Sequence, residues 1–279
     1  MESLSWDSYF NAEGGGECMY DKFTFGEYSS EEYGVIAVHF GAESGGSLYG
    51  GQSSNLVTDK ADQAIEWEIL SQNYKEPMKF TLQIVNEDGS DITQEQERGL
   101  TRWLCKRGVY QWLFIQDERY SDIWIRCNMC NPQVWTVGRV KGMQFDVTTS
   151  SSIAFSDERE YNYTLTDSDK VIDDIFVYND EEILIYPEIE ITMTQAGNLT
   201  ITNSRESDTT YKTIINNLVV GEVITIKDGD ITSSINTHNI LNDFNLMWLR
   251  LYDENNILTF NLKCTVTIKF REYRKLVVF

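Results

Sequence analysis

Two cysteines in WIRCNMCNPQVW, Cys127 and Cys130, have a spacing that suits chemistry. A C-x-x-C pair holds zinc when two further ligands lie close by, and exchanges disulfides when it opens a helix. The sequence offers neither setting. The remaining cysteines, Cys18, Cys105 and Cys264, are scattered, and the only histidines, His39 and His238, have no metal-like spacing. Asp122 to Cys127 alternates like a strand, in which residues three apart face opposite sides. Asn131-Pro132 then signals a turn and not a helix start. The pair is therefore expected to be free thiols, buried or half-buried. An odd, scattered set of five cysteines also does not make a secreted disulfide framework.

Other chemistries fare no better. Glu31-Glu32, Asp173-Asp174 and Glu181-Glu182 are paired acids of the kind a glycosidase needs. Among 44 acids, though, such pairs arise as solvated surface. No G-x-S-x-G elbow accompanies the histidines, and the glycine clusters match neither G-x-G-x-x-G nor a Walker loop. Asp228-Gly229-Asp230 begins like a calcium loop, but the later ligands are missing, so a β-turn is expected. Asn162-Tyr163-Thr164 and Asn198-Leu199-Thr200 match glycosylation sequons, which carry no weight without a signal peptide. Seven tryptophans and fifteen tyrosines would suit a sugar-stacking platform. However, Trp67, Trp103, Trp112, Trp124, Trp135 and Trp248 fall in strand or helix patterns, which favours core or interface packing. The expectation is no catalytic residue, no metal ligand and no cofactor.

The elements that would hold any site follow from composition and periodicity. With 279 residues, 41% hydrophobic, the chain is long enough for two ordinary domains or one large all-β domain, with a sizeable core. Its formal net charge of -21 opposes binding to phosphate backbones and anionic membranes. MESLSWDSYF lacks the features of a secretory signal, and no run of about 18 apolar residues appears, so folding in a cytoplasm is expected. YGVIAVHF reads as a strand, and Gly41 to Leu56 as a long Gly/Ser loop of the kind that partners order. Ile65, Trp67 and Ile69, then Phe80, Leu82 and Ile84, alternate as strands. Thr93 and Gln96 form a capping box for a helix with a Leu100, Trp103, Leu104 stripe and a Gly108 stop. Short strands follow near 111–115, 123–126, 134–137 and 143–147.

The polar stretch 149–180 sets the domain boundary near 165, giving domains 1–165 and 166–279. The second half reads as all-β, with period two through Ile185, Pro187, Ile189 and Ile191. Pro187 there argues for an edge position. Strands are also expected at 211–220, 223–226, 246–251 and 257–262, and Cys264, Val266, Ile268 and Phe270 alternate as a core-facing set. Short strands with turns between them indicate a β-sandwich.

The order of these features resembles a known family. FTFGEYSSEEYGVIAV is followed by the glycine-rich loop, the IEWEIL and YKEPMKFTLQIVN strands, and a helix ending LTRWL. Then come QWLFIQDERYSDIWIRC and an FDV strand, with Trp103, Leu104, Asp117 and Tyr120 at the family's landmarks. In the second half, ILIYPEIEITMTQAGNLTITNSR (Pro187, Gly197) and GEVITIKDGD (Gly221, Glu222) continue the match. Tyr178 to Glu182 departs from it, standing where the family often has an Asn-Gly turn. The chain thus resembles the distal tail protein (Dit) family of long-tailed bacteriophages, roughly from Phe23 to Phe270.

That resemblance implies a mainly β protein. Its N-terminal domain would be a β-sandwich-like ring domain with one short α-helix, and its C-terminal domain a galectin-like β-sandwich. It also implies a homo-hexameric ring at the tail tip, joining the tail tube protein to a tail-associated hub or lysin protein. Receptor-binding or other baseplate proteins would dock on the outer domain, and DNA would pass only as cargo. Tyr49, Gln52 and Leu56 then become candidates for an inter-subunit arm, ordered in the ring. The alternative is a carbohydrate-binding module for host-wall glycans, which predicts exposed, coplanar aromatics.

Overall fold

A computed structural model describes residues 19–39, 54–59, 68–74, 76–116, 121–137, 140–166 and 170–275. The chain forms two compact units that divide between Phe155 and Ser156. The first contains β1 (Met19–Asp21), β2 (Phe23–Phe25), β3 (Tyr28–Ser29), β4 (Val35–His39), β5 (Ser54–Asp59), β6 (Glu68–Tyr74), β7 (Lys79–Asn86), β8 (Gln111–Ile115), β9 (Trp124–Val137), β10 (Val140–Thr149) and helix α1 (Gln94–Leu104). Except for β5 and β6, these strands make one antiparallel sheet in the order β1-β4-β7-β10-β9-β8-β2-β3. Strands distant in that order share one core: Phe23 and Phe25 of β2 lie in the same cluster as Leu82 and Ile84 of β7 and Phe145 of β10. The sheet therefore curls around its apolar side.

Helix α1 closes that core, and its boundaries follow from local chemistry. The Thr93 hydroxyl accepts from the Gln96 N–H at 3.3 Å, and the Gln96 side chain accepts from the Thr93 N–H at 3.0 Å. This capping box satisfies donors that the first turn leaves without partners. Leu100, Trp103 and Leu104 are buried as the stripe requires, each stabilising the unit by about 1.5–3 kcal/mol. Trp103 stacks on Tyr33 at 4.3 Å and on Phe23 at 5.5 Å, and its indole N–H donates to the Phe25 carbonyl. The helix ends at Leu104, before Gly108, which serves the following turn with φ +69.

Strand β9 corrects the expected turn at Asn131-Pro132. The strand runs unbroken through both residues, and the separate strands expected at 123–126 and 134–137 are one. Its register against β10 shifts between Gln144 and Asp146, so Asn131 is accommodated as a bulge at φ +51. The Asn131 amide, donating to Asp146 at 2.8 Å, braces it. One close approach in the same sheet requires glycine: a Cβ on Gly142 would lie 2.6 Å from the Ile84 carbonyl oxygen.

The second unit contains β11 (Ala154–Thr164), β12 (Val171–Val177), β13 (Glu188–Met193), β14 (Gly197–Asn203), β15 (Thr213–Leu218), β16 (Val223–Lys227), β17 (Asp230–Ser233), β18 (Glu254–Phe260) and β19 (Cys264–Arg274). One sheet has the order β11-β19-β13-β16-β17, the other β12-β18-β14-β15. Both contribute to a single core, with Ile191, Val266 and Ile268 from the first and Leu199, Ile215 and Leu258 from the second. This is a β-sandwich, as the alternation predicted.

Three details differ from expectation. The boundary was expected near 165, but the polar stretch from Ala154 to Thr164 is a strand that crosses the division. Beyond Phe155 it is tied to β19, with the Glu272 N–H donating to Ser156 Oγ at 2.9 Å and Thr267 Oγ1 to Asn162 at 2.6 Å. Hydrogen bonding, and not composition, decides its allegiance. Pro187 does not mark an edge: it immediately precedes β13, which lies between β19 and β16. A proline before the first ladder residue costs no hydrogen bond. Leu246 to Leu251 is not a strand, because Leu246 takes φ +60, which breaks an extended run. The Asp228-Gly229 turn is as expected, with φ of +51 and +77 joining Lys227 to Asp230 in a tight hairpin.

Candidate functional site

Strands β5 and β6 stand apart from both cores. They form a two-stranded antiparallel ribbon, pairing with each other from Ser54↔Tyr74 to Asp59↔Glu68, with a register shift after Val57. Leu56 lies on the same ribbon face as the Thr58↔Ile69 pair, Val57 points to the other face, and Leu70 sits at the shift. Leu56 is 50% exposed, Ile69 63% and Leu70 61%. A two-stranded ribbon is marginally stable by itself in water. Apolar side chains exposed on such a ribbon leave most of their burial energy, about 25 cal/mol per Å², to be gained against another surface.

Leu56 is on the ribbon, while Tyr49 and Gln52 lie outside the described residues. The expected Gly/Ser loop therefore ends before Leu56, because Ser54 to Asp59 is strand. Ile69 was read as part of an alternating strand, and it is; its exposure was not anticipated, nor was that of Val57 and Leu70. A sequence signal existed: Leu56-Val57 and Ile69-Leu70 are apolar pairs flanked by polar residues. Asp117 and Tyr120, at family landmarks, also lie outside the described residues.

The residues first considered for chemistry are dispersed or occupied. Cys127 is buried in β9, and burial pushes its thiol up to about 12. Cys130 is half-buried on the same strand, with its Sγ 3.7 Å from the Asp146 carbonyl. Cys264 is buried in β19, where burial raises it to about 11. All three are free thiols. The described tryptophans pack against neighbours: Trp112 meets Phe155 edge-on, Trp124 stacks on Phe114, and Trp248 meets Phe244. In the sandwich, the Arg250 guanidinium lies 3.6 Å over the Tyr211 ring and pairs with Glu206, which also accepts from the Tyr252 hydroxyl at 2.8 Å. These polar groups satisfy one another.

One convergence of titratable groups escaped the sequence. His238 Nδ1 lies 2.5 Å from Glu222, and its Nε2 lies 2.9 Å from Asp243. In the sequence Glu222 is only a landmark of the resemblance, and nothing in the spacing of these residues links the three.

Comparison with known proteins follows the same two-part division. Residues 19–151 match a family model described as a phage tail protein N-terminal domain, and residues 153–270 match a phage tail C-terminal domain. The structure is similar to the crystal structure of Dit (gp 19.1) of phage SPP1, with a TM-score of 0.60 at 12% identity, covering 90% of this chain and 98% of that one. The SPP1 protein is described as a paradigm of the hub adsorption apparatus in phages that infect Gram-positive bacteria. At this identity the likeness is one of fold. No curated protein sequence matches the chain.

Proposed function

Because the chain belongs to the phage tail proteins through both of its halves, and carries the Dit fold, we propose that it is the hub ring of a tail tip. In this reading, copies of the first unit close into a homo-hexamer that continues the tail tube. The ring holds the tail-associated hub or lysin protein on its far side. The sandwich unit projects outward and docks receptor-binding or other baseplate proteins. The protein works by assembly and not by turnover; it folds in the host cytoplasm and ends in the virion tail tip.

The observation that carries this reading is the exposed apolar ribbon. A ring closed by rotation uses heterologous contacts, in which a projecting element of one copy meets a different surface of the next. The ribbon supplies such an element, with Leu56, Ile69 and Leu70 directed to a neighbouring copy. The charge fits as well: six chains of -21 each make an acidic ring, through which DNA passes without adhering.

Light scattering across a concentration series, with negative-stain images of the largest species, tests the proposal. A species of six times the 32.3 kDa chain mass with an open centre is expected. A strict monomer at all concentrations, also when mixed with tail tube protein, would overturn it.

A further inference from the structure

We propose that Glu222, His238 and Asp243 form a proton-operated clasp that fixes the segment from Ile235 to Asp243 against β15–β17 and releases it when the imidazole loses its proton.

The geometry sets the protonation state. Both ring nitrogens face carboxylate oxygens, at 2.5 and 2.9 Å. An ionised carboxylate only accepts hydrogen bonds, so both nitrogens must donate, and only the imidazolium does so. A neutral ring would turn a lone pair toward one of the two acids. Neither acid is free to swing away. Glu222 is 1% exposed and accepts from Ser233 Oγ at 2.6 Å and from the Val219 N–H at 3.0 Å. Asp243, at the end of the short helix Ile240–Asp243, accepts from the Asn217 amide at 2.6 Å.

These are the titratable groups that face the ring. Strand β15 contributes only Asn217, through Asp243, and β17 contributes Ser233, through Glu222. The charged residues Lys227 and Asp230 lie at the opposite end of the β16–β17 hairpin. Hydrogen bonding to Glu222 raises the pKa of His238 above its ordinary value, burial opposes this, and Asp243 adds to the rise. Burial pushes Glu222 up, but bonds from Ser233, Val219 and His238 outweigh it and leave the carboxyl low.

The sign follows. The histidine's contribution is complete below its ordinary value of about 6.5 and is lost as pH rises through the higher folded value. Glu222's contribution is lost in acid, as pH falls through its depressed value. Release is local, because the segment is anchored at both ends: Ser234 N–H donates to Val223 O, and Asn245 N–H to Ile214 O. Opening would free the buried Ile240 and displace the exposed Leu241. The apolar surface shown by the segment would thus change with pH.

The chain has only two histidines, so imidazole NMR of the full-length protein, assigned with His39→Gln, reads His238 directly. His238 is expected to titrate above its ordinary value. Hydrogen exchange of 235–243, corrected for intrinsic rates, should open with rising pH by about tenfold in total per unit of that elevation. Peptides from β13 and β19 should not change. His238→Gln should make the segment open at every pH, and if that variant does not fold, Asp243→Asn should lower the titration of His238 and shrink the pH effect. A His238 titration at or below the ordinary value, or exchange in the segment that is flat with pH, overturns the clasp.

Discussion

The β5–β6 ribbon and the β13–β19 pair are both antiparallel, and both carry apolar residues at intervals along their strands. Cys264, Val266, Ile268 and Phe270 of β19 are at most 5% exposed, whereas Leu56 and Ile69 of the ribbon are 50% and 63% exposed. The difference lies in what covers them. β19 has the β12-β18-β14-β15 sheet against its inner face, with Leu199, Ile215 and Leu258 in the shared core. The ribbon belongs to neither core. Apolar patterning thus specifies where a strand presents its side chains, while the rest of the fold decides whether they are buried. A patterned strand left uncovered adds little to the stability of the monomer and leaves its apolar side chains open to another surface.

Substitutions can break that distinction, beginning with the largest effect. Phe145→Ala removes a fully buried ring from the first core and should cost about 3–5 kcal/mol, read as a lower urea midpoint. Gly142→Ala pushes a methyl against the Ile84 carbonyl, and about 1–3 kcal/mol is expected from the same measurement. Thr93→Ala deletes one half of the α1 capping box and should cost about 1 kcal/mol. The double change Leu56→Asp with Ile69→Asp should alter monomer stability by less than about 0.5 kcal/mol. Yet it should abolish the high-mass species in light scattering. If it instead destabilised the monomer as much as Phe145→Ala does, the ribbon would be packed on its own chain, and the contrast with β19 would collapse.

Much of this architecture was legible because it rests on local rules. Thr93 and Gln96 announced α1, and Asp228-Gly229 announced a hairpin, since each depends on backbone chemistry within a few residues. The period of two from Cys264 to Phe270 gave both a strand and its buried face. What escaped depends on partners distant in sequence. Asn131-Pro132 looks like a turn until β10 supplies Asp146 to brace the bulge. The polar residues of Ala154–Thr164 look like a linker until Glu272 and Thr267, more than a hundred residues later, bond to Ser156 and Asn162. Glu222, His238 and Asp243 meet only because the chain turns back after β17. Leu56 was legible as a candidate and Ile69 as part of a strand, but their pairing was not, because the register between two short apolar pairs is set by contacts and not by either segment alone.

The position of β19 has a consequence for synthesis on the ribosome. It is the last strand of the second unit in chain order, yet it lies between β11 and β13 inside its sheet. Until β19 has been translated, β11 and β13 each have an unpaired side, so the sandwich cannot close. The first unit has all its strands once Phe155, at the start of β11, has been made, and at about 5–20 residues per second it has several seconds to fold alone. In that interval the nascent chain displays open strand edges to every similar chain emerging nearby. Glu188 and Glu190 keep charge on the unpaired β13 during that wait.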